Sequence, residues 1–431
     1  MSELSQKTVL VFDHGLGLPI AERLARDFGR VLYFSEWQEG FSTINKAVIG
    51  DGIPNVERCY DIWDVKKEVD LWVFPDIQHS GLQLELEKQG FRVWGSRKAD
   101  QLETNRQLFL RTLKELGLDV PKFQICNGIT DLRQVLKDKE DCFVKISKYR
   151  GSLETKHWRN WRLDENLLDL WAVRFGAVRE KIPFLVFDNI DTPLEIGGDT
   201  FCVDGQWPDL MLHGIEWKDQ AYFASVTPKN EMPDQIQTVL EAFGPLLKNY
   251  RYRNEWSMEL RVKGDKFYFI DPTCRLGLPS TGSQLELWKN WSEIVWAGAN
   301  GELVQPEPLG QFSAEVILHA KSDEGLWPTV EIPDDLRQWL KLADCCEIDA
   351  SGLRAWPREG GDDETVGWLV AIGDTPQQTL DNLKEHISKL PDGLTADCSP
   401  IAEILKEIEL EEKKGIEFTD QKMPQPKEVL Q

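Results

Sequence analysis

Residues 255–283 read EWSMELRVKGDKFYFIDPTCRLGLPSTGS. Apolar and polar side chains alternate over 256–263 and again over 266–271, the period of two expected of half-buried strands. Gly264-Asp265 between them is the expected turn of a hairpin. In that hairpin Glu259 lies on one strand, Asp271 ends its partner, and Thr273 follows two residues later. Two carboxylates and a hydroxyl oxygen converging at one end of a hairpin suit Mg²⁺, a hard cation that takes oxygen ligands and keeps waters for bound phosphates. Arg275 comes next, at a spacing that brings a guanidinium within reach of such phosphates. Taken alone, the same residues also fit a plainer account in which Glu259 and Asp271 are half-exposed strand carboxylates.

Toward the N-terminus the texture becomes that of βαβ units. Apolar runs at 8–12, 30–34, 71–74 and 91–95 alternate with amphipathic stretches, notably 81–89, which predicts a parallel sheet. Ligands of such sheets sit beyond the carboxyl ends of the strands. The first run closes on Asp13-His14-Gly15-Leu16-Gly17, glycines at a helix start and an expected anion site. Residues 100–117 read as one long amphipathic helix ending at Gly117, with Pro121 as a stop. Strands are expected at 123–126, 142–146, 184–187 and 199–203, with a helix around 130–137. The alternating segments at 199–203, 256–263 and 266–271 predict an antiparallel sheet.

Toward the C-terminus, 313–318 and 368–372 are strand-like, and 375–389 opens with Thr375 and Pro376 as an N-cap and first helical residue. A surface helix around 401–413 and a loose charged tail complete the expectation. The fold class expected is α/β, with α+β character in the middle: a Rossmann-like domain over 1–98, a two-part domain over 99–308 whose flexible portion spans about 120–187, a small α+β domain over 309–395, and a charged helix and tail over 396–431.

The 50 Lys and Arg of this 431-residue chain face 73 Asp and Glu, a net charge of −23. That balance argues against bulk electrostatic binding to nucleic acid or to an anionic membrane, while leaving room for a local basic pocket. No basic segment leads into an apolar core at the start, and no run of about 18 apolar residues occurs, so a cytoplasmic protein without a membrane span is expected. The eight cysteines are scattered without a CxxC pair and read as buried thiols. Trp158, Trp161 and Trp171 invite a base-stacking reading, but with no basic stripe beside them packing is the expectation. Lys145, alone, would read as a strand lysine whose stem lies on apolar surface.

The motifs taken together resemble the ATP-grasp superfamily, most closely its phosphoribosylamine–glycine ligase branch. That family's terminal strand motif carries an apolar residue, Glu, Phe, Asn, any residue, Arg, Phe, Gly, Asp, Pro and Glu. Ile270 to Ser280 fit that frame, with Arg275, Gly277 and Pro279 matching and Asp271 and Thr273 standing where the family has Glu and Asn. A second match is the helix entry at Gly95 to Arg106, followed by Gly117 and Pro121; a third is Val144-Lys145-Ile146. The resemblance covers roughly residues 8–390.

The resemblance implies ATP and Mg²⁺ as cofactors, with Glu259, Asp271 and Thr273 as metal ligands. It implies phosphate contacts from Arg106, Lys145, Lys148 and Arg150, and adenine contacts through the backbone of the segment holding Asp188, Ile190 and Asp191. Glu195 falls at the distance of a ribose-binding acid, and Arg275 would stabilise the transferred phosphoryl group. His14, Gly15, Gly17, Asp76 and His79 fall in the first-domain turns that face substrate in the family. The implied activity is ligation of a carboxylate to an amine through an acyl phosphate, on small-molecule partners, by a monomer or homodimer.

Departures bear on the substrate. The loop over the phosphates, usually glycine-rich, has a single glycine between Ser147 and Trp158, the first turn lacks the family's Arg, and Phe74-Pro75-Asp76 replaces Gly-Pro-Glu. Three readings follow: ligation of glycine to phosphoribosylamine, a divergent ligase of a bacterial or viral genome with another acid and amine, or a catalytically degenerate nucleotide-binding interaction module.

Overall fold

Strand β1 (Thr8–Asp13) runs parallel to β2 (Arg30–Ser35), pairing Val9 with Val31 and Val11 with Tyr33. With β3 (Val56–Arg58), β4 (Leu71–Val73) and β5 (Arg92–Trp94) it forms a parallel sheet in the order β3-β2-β1-β4-β5. Both faces are covered, because continuously apolar strands such as β1 send buried side chains to both sides of the sheet. Val9, Val11, Val31 and Val73 join one core with Leu18, Ile20 and Leu24 of α1 (Leu18–Leu24). Leu10, Phe12, Leu32 and Trp72 join the other, with Ile62 of α2 (Ile62–Val65) and Leu86 of α3 (Ser80–Lys88). The chain winds outward from β1 to β3, then returns to the far side of β1 for β4. The carboxyl ends of β1 and β4 therefore frame a topological switch point, where ligands of such sheets bind.

This computed structural model describes residues 3–14, 17–36, 48–146, 155–190, 195–217, 220–263, 266–277, 279–320, 329–348, 352–356 and 364–412. The chain divides into two units, one of residues 1–98, 197–257 and 273–431, the other of residues 99–196 and 258–272.

In the second unit the expected single helix over 100–117 is two: α4 (Asp100–Thr104) and α5 (Arg106–Glu115). Asn105 interrupts them because its backbone leaves the helical region and its side chain accepts the Leu108 N–H, capping α5. Next come β6 (Phe123–Asn127), α6 (Gly128–Leu136), β7 (Cys142–Ile146), β8 (Thr155–Trp158), α7 (Trp161–Phe175) and β9 (Pro183–Asp188). The strands form an antiparallel sheet in the order β6-β9-β7-β8. Trp158 and Trp171 are buried in its core with Val144, Leu168 and Phe184, and Trp161 packs against that core. These tryptophans are packing residues.

The first unit continues with an antiparallel run through β10 (Glu195–Val203), β11 (Leu210–Trp217) and β12 (Ala221–Pro228). Helix α8 (Asp234–Tyr250) leads to β13 (Arg253–Lys263) and β14 (Lys266–Thr273), which neighbour one another as the expected hairpin; residues 258–272 of this hairpin belong to the second unit, and its turn, Gly264-Asp265, lies outside the described residues. Helices α9 (Thr281–Leu287) and α10 (Trp291–Ala299) precede β15 (Phe312–Ala320), which pairs with β12. Short strands β16 (Thr329–Glu331), β17 (Leu340–Leu342), β18 (Cys346–Glu347) and β19 (Leu353–Ala355) lead to β20 (Glu364–Gly373), the long partner of β15. Thr375 caps α11 (Pro376–Ser388) through the Gln378 N–H, as its sequence predicts. After β21 (Leu394–Thr395) comes α12 (Ser399–Glu412). It is more than a surface helix: Ile401, Ile404 and Ile408, spaced three and four apart, are buried in the core of this unit. All eight cysteines are free and seven are buried.

Candidate functional site

Two clusters carry chemistry, one in each unit. In the second unit, the inward residues of β7 are Cys142, Val144 and Ile146, so strand alternation turns Lys145 to the opposite face. Arg106 is the first residue of α5, placed there by the Asn105 cap. One turn later Phe109 packs edge-on against Phe269 of β14, ring centroids 5.2 Å apart. Asp271 lies two residues beyond Phe269 on the same strand face. That aromatic contact registers Arg106 against Asp271, and the two form an ion pair through Nη1 and Oδ1. The same guanidinium donates to the Ile270 carbonyl at 3.1 Å. Lys145 Nζ donates to the other carboxylate oxygen, Oδ2, at 2.5 Å.

Two buried cations thus hold one carboxylate from opposite sides. Burial pushes the Asp271 carboxyl up, but the charges of Arg106 and Lys145 outweigh it and hold the group near about 2. Lys145 moves the other way: burial and the neighbouring Arg106 lower it, against the pull of Asp271 and Glu259. Glu259 on β13 is therefore an electrostatic partner of Lys145, and four charges of two signs balance in this cluster. The oxygen donors Asp271 and Glu259 suit a hard cation. Both oxygens of Asp271 are engaged by cations, so the set fits a metal that arrives with polyphosphate, which would give Arg106 and Lys145 a replacement anion.

Other residues expected at this site have separate settings. Asp188 ends β9, pairs with Lys139, and gives its backbone N–H to the Lys122 carbonyl at 3.2 Å. Ile190 follows β9, half-buried, and Glu195 opens β10. Lys148, Arg150 and Asp191 lie outside the described residues.

In the first unit, the turn after β1 differs from expectation. The Gly17 N–H, expected to face an anion, donates to Asp13 Oδ2 at 2.8 Å, and Tyr33 Oη donates to the same oxygen at 2.5 Å. A side chain at 17 would collide with Asp13, since a Cβ would fall 2.7 Å from Oδ1. The anion at this helix start is the protein's own carboxylate; Gly15 lies outside the described residues. His14 and His79 do meet. Their Nε2 atoms are 3.0 Å apart and their rings stack with centroids 4.8 Å apart, both against Phe12. Burial, then the charge of His14, lowers the His79 pKa, opposed by Glu36 and Asp76. Asp76 pairs with Arg275 Nε at 3.2 Å, and Arg275 Nη1 donates to the Leu276 carbonyl at 2.9 Å.

The segment after Thr273 is held by a buried network that sequence reasoning missed. Asp199 of β10 accepts from Ser257, from Ser280 at 3.0 Å and from Tyr222 at 2.5 Å. Glu315 accepts the Ser283 N–H at 2.8 Å, and burial pushes its carboxyl up to about 7. These bonds pin the loop that carries Arg275 into α9. Glu36, whose carboxylate lies within 4.8 Å of both histidine nitrogens, was also missed; its place just past β2, beside β1, is the only signal that points to it.

No protein-family model matches the chain. A formate-dependent phosphoribosylglycinamide formyltransferase from Nitratiruptor sp. is 21% identical over 339 residues, spanning 74% of this chain and 80% of the relative. A solved phosphoribosylamine–glycine ligase from Thermotoga maritima superposes with a TM-score of 0.65 at 16% identity, covering 90% of this chain and 98% of its own. The biotin carboxylase domain of Hydrogenobacter thermophilus 2-oxoglutarate carboxylase, in complex with MgADP, ADP and bicarbonate, gives a TM-score of 0.66 at 14% identity, covering 94% of this chain and 95% of its own. The fold is that of the ATP-grasp proteins, a multidomain α/β architecture. No described helix is long and apolar enough to cross a membrane.

Proposed function

We propose that the chain is an ATP-dependent carboxylate–amine ligase. The observation that carries the reading is the Asp271 carboxylate held between Arg106 and Lys145, in a fold whose solved examples include complexes with ADP. The similar proteins name glycine, formate or bicarbonate, so a small acid is the expected carboxylate partner.

When ATP enters, Arg106 and Lys145 exchange Asp271 for phosphate oxygens; the oxygens of Asp271, Glu259 and Thr273 would then be the ones to hold a metal ion. Mg²⁺ bound there would neutralise charge developing between the β- and γ-phosphates. Lys148 and Arg150 add charge to the phosphate grip, the backbone around Asp188, Ile190 and Asp191 receives adenine, and Glu195 receives ribose. Arg275 leaves Asp76 to stabilise the transferred phosphoryl group. A carboxylate oxygen of the acid bonds to the γ-phosphorus as the bond to the β-phosphate oxygen breaks, giving acyl phosphate and ADP. The amine nitrogen then bonds to the acyl carbon, loses its proton, and phosphate departs. Positioning and electrostatics suffice, with no protein nucleophile. The sheet-edge residues His14, Asp76 and His79 face the second substrate.

The test is phosphate release from MgATP, screened over small acids and amines in pairs. Release that needs both partners and falls in Asp271→Asn supports the ligase. Release that needs glycine plus phosphoribosylamine names that pair. Absence of release with every pair would leave the interaction-module reading standing.

A further inference from the structure

We infer that His14, His79 and Glu36 form a binding site for a divalent transition cation of the zinc class at the carboxyl edge of the parallel sheet. Their ligand atoms lie within 4.8 Å of one another. The two Nε2 atoms, 3.0 Å apart, are close to the separation of about 3.3 Å that bonds of 2.0–2.1 Å impose on two nitrogens of a tetrahedral zinc. The fold produces this convergence. His14 follows β1, Glu36 follows β2, and His79 precedes α3 in the connection after β4. Those strands are neighbours in the order β2-β1-β4, so their exits place the three residues side by side.

The donor chemistry selects the ion. Imidazole nitrogen suits zinc, copper, nickel and iron, whereas magnesium and calcium prefer all-oxygen sets such as Asp271 with Glu259. Two imidazoles whose Nε2 atoms face one another share at most one proton; a cation takes the proton's place and satisfies both lone pairs. Three protein ligands leave the fourth tetrahedral position open, the pattern of sites that bind a substrate or water. Asp76 reinforces the site from outside, since its charge acts on His79 while Arg275 holds it at 3.2 Å. Phe12 walls one side of both rings. The three residues lie at the switch point of the sheet, where a small ligand with an oxygen or nitrogen donor would complete the shell. The site stands whether or not the chain is a ligase.

Untagged, chelator-treated full-length protein titrated with Co²⁺ tests the assignment through its visible d–d absorption, with Zn²⁺ affinity read by competition against a chromophoric chelator. The expected result is one equivalent bound with a tetrahedral spectrum, undisturbed by millimolar Mg²⁺ and retained in Asp271→Asn. His14→Gln and His79→Gln should each weaken binding at least about tenfold. Their unchanged far-ultraviolet circular dichroism and thermal midpoint would show that the loss is local. Failure of the wild-type chain to take up cobalt stoichiometrically would overturn the site. So would equal affinity in both histidine variants, which would leave the pair as a hydrogen bond between two imidazoles.

Discussion

The Arg106–Asp271–Lys145 cluster and the His14–His79 pair solve the burial of polar side chains in opposite ways. In the first, full charges are kept by pairing: Asp271 is held near about 2, and Lys145, though lowered, has its ammonium on a carboxylate at 2.5 Å. In the second, burial lowers His79, and the two rings stack with their Nε2 atoms 3.0 Å apart. A charged cluster is strong but exchangeable, because a polyphosphate offers its cations the same kind of partner. A pair of imidazoles offers lone pairs instead. On the proposed reading, the difference separates a region that would handle anions from one that would take borderline cations and small donors.

The largest effect should come from breaking the charged cluster. Asp271→Asn leaves two buried cations without their anion and should destabilise the second unit by about 3–5 kcal/mol in denaturant unfolding, with part of the loss returned by adding Lys145→Met. Because the folded Asp271 carboxyl lies below its unfolded value, its contribution is in place above about pH 4 and fades as pH falls toward about 2. Lys145→Ala comes next. Losing one preorganised phosphate donor should lower kcat/KM for ATP by ~10²–10³-fold in the phosphate-release assay.

A third prediction isolates what burial alone does to an imidazole. His213 on β11 is buried and pushed down to about 4. Its folded pKa lies below the unfolded value, so it costs nothing above about pH 6.5 and destabilises progressively as the unfolded chain gains its proton. Between pH 6.5 and 4.5 this amounts to roughly 2–3 kcal/mol, and His213→Gln should flatten that part of the stability profile. The smallest effect belongs to Arg30, whose half-exposed guanidinium bridges Glu57 and Glu68. Arg30→Ala should change stability by less than about 1 kcal/mol, which sets the floor against which the buried cluster is measured.

Local patterns made much of the fold legible. The alternation over 256–263 and 266–271 anticipated the β13–β14 hairpin, and Thr375-Pro376 anticipated the start of α11. Val144-Lys145-Ile146 placed Lys145 opposite two apolar residues, as observed. Other features were written locally but outweighed. Asn105 is a good cap, yet the apolar spacing around it continues, and only the backbone shows the cap prevailing. Ile401, Ile404 and Ile408 have the spacing of a buried face, but the charges between them masked it. What was not legible depends on distant pairings. Nothing near Gly17 says that Tyr33 and Asp13 will claim the turn, because their meeting depends on β1 pairing with β2. Glu36 is a lone acid in sequence and acquires neighbours only through the order β2-β1-β4.

The decisive experiment is isothermal calorimetry of ATP binding to the full-length wild-type chain and to Lys145→Ala, with and without Mg²⁺. The account predicts one site per chain, tighter with Mg²⁺ than without, and at least about tenfold weaker in Lys145→Ala. Binding of equal strength in both proteins, or no heat from the wild type at millimolar MgATP, would contradict it.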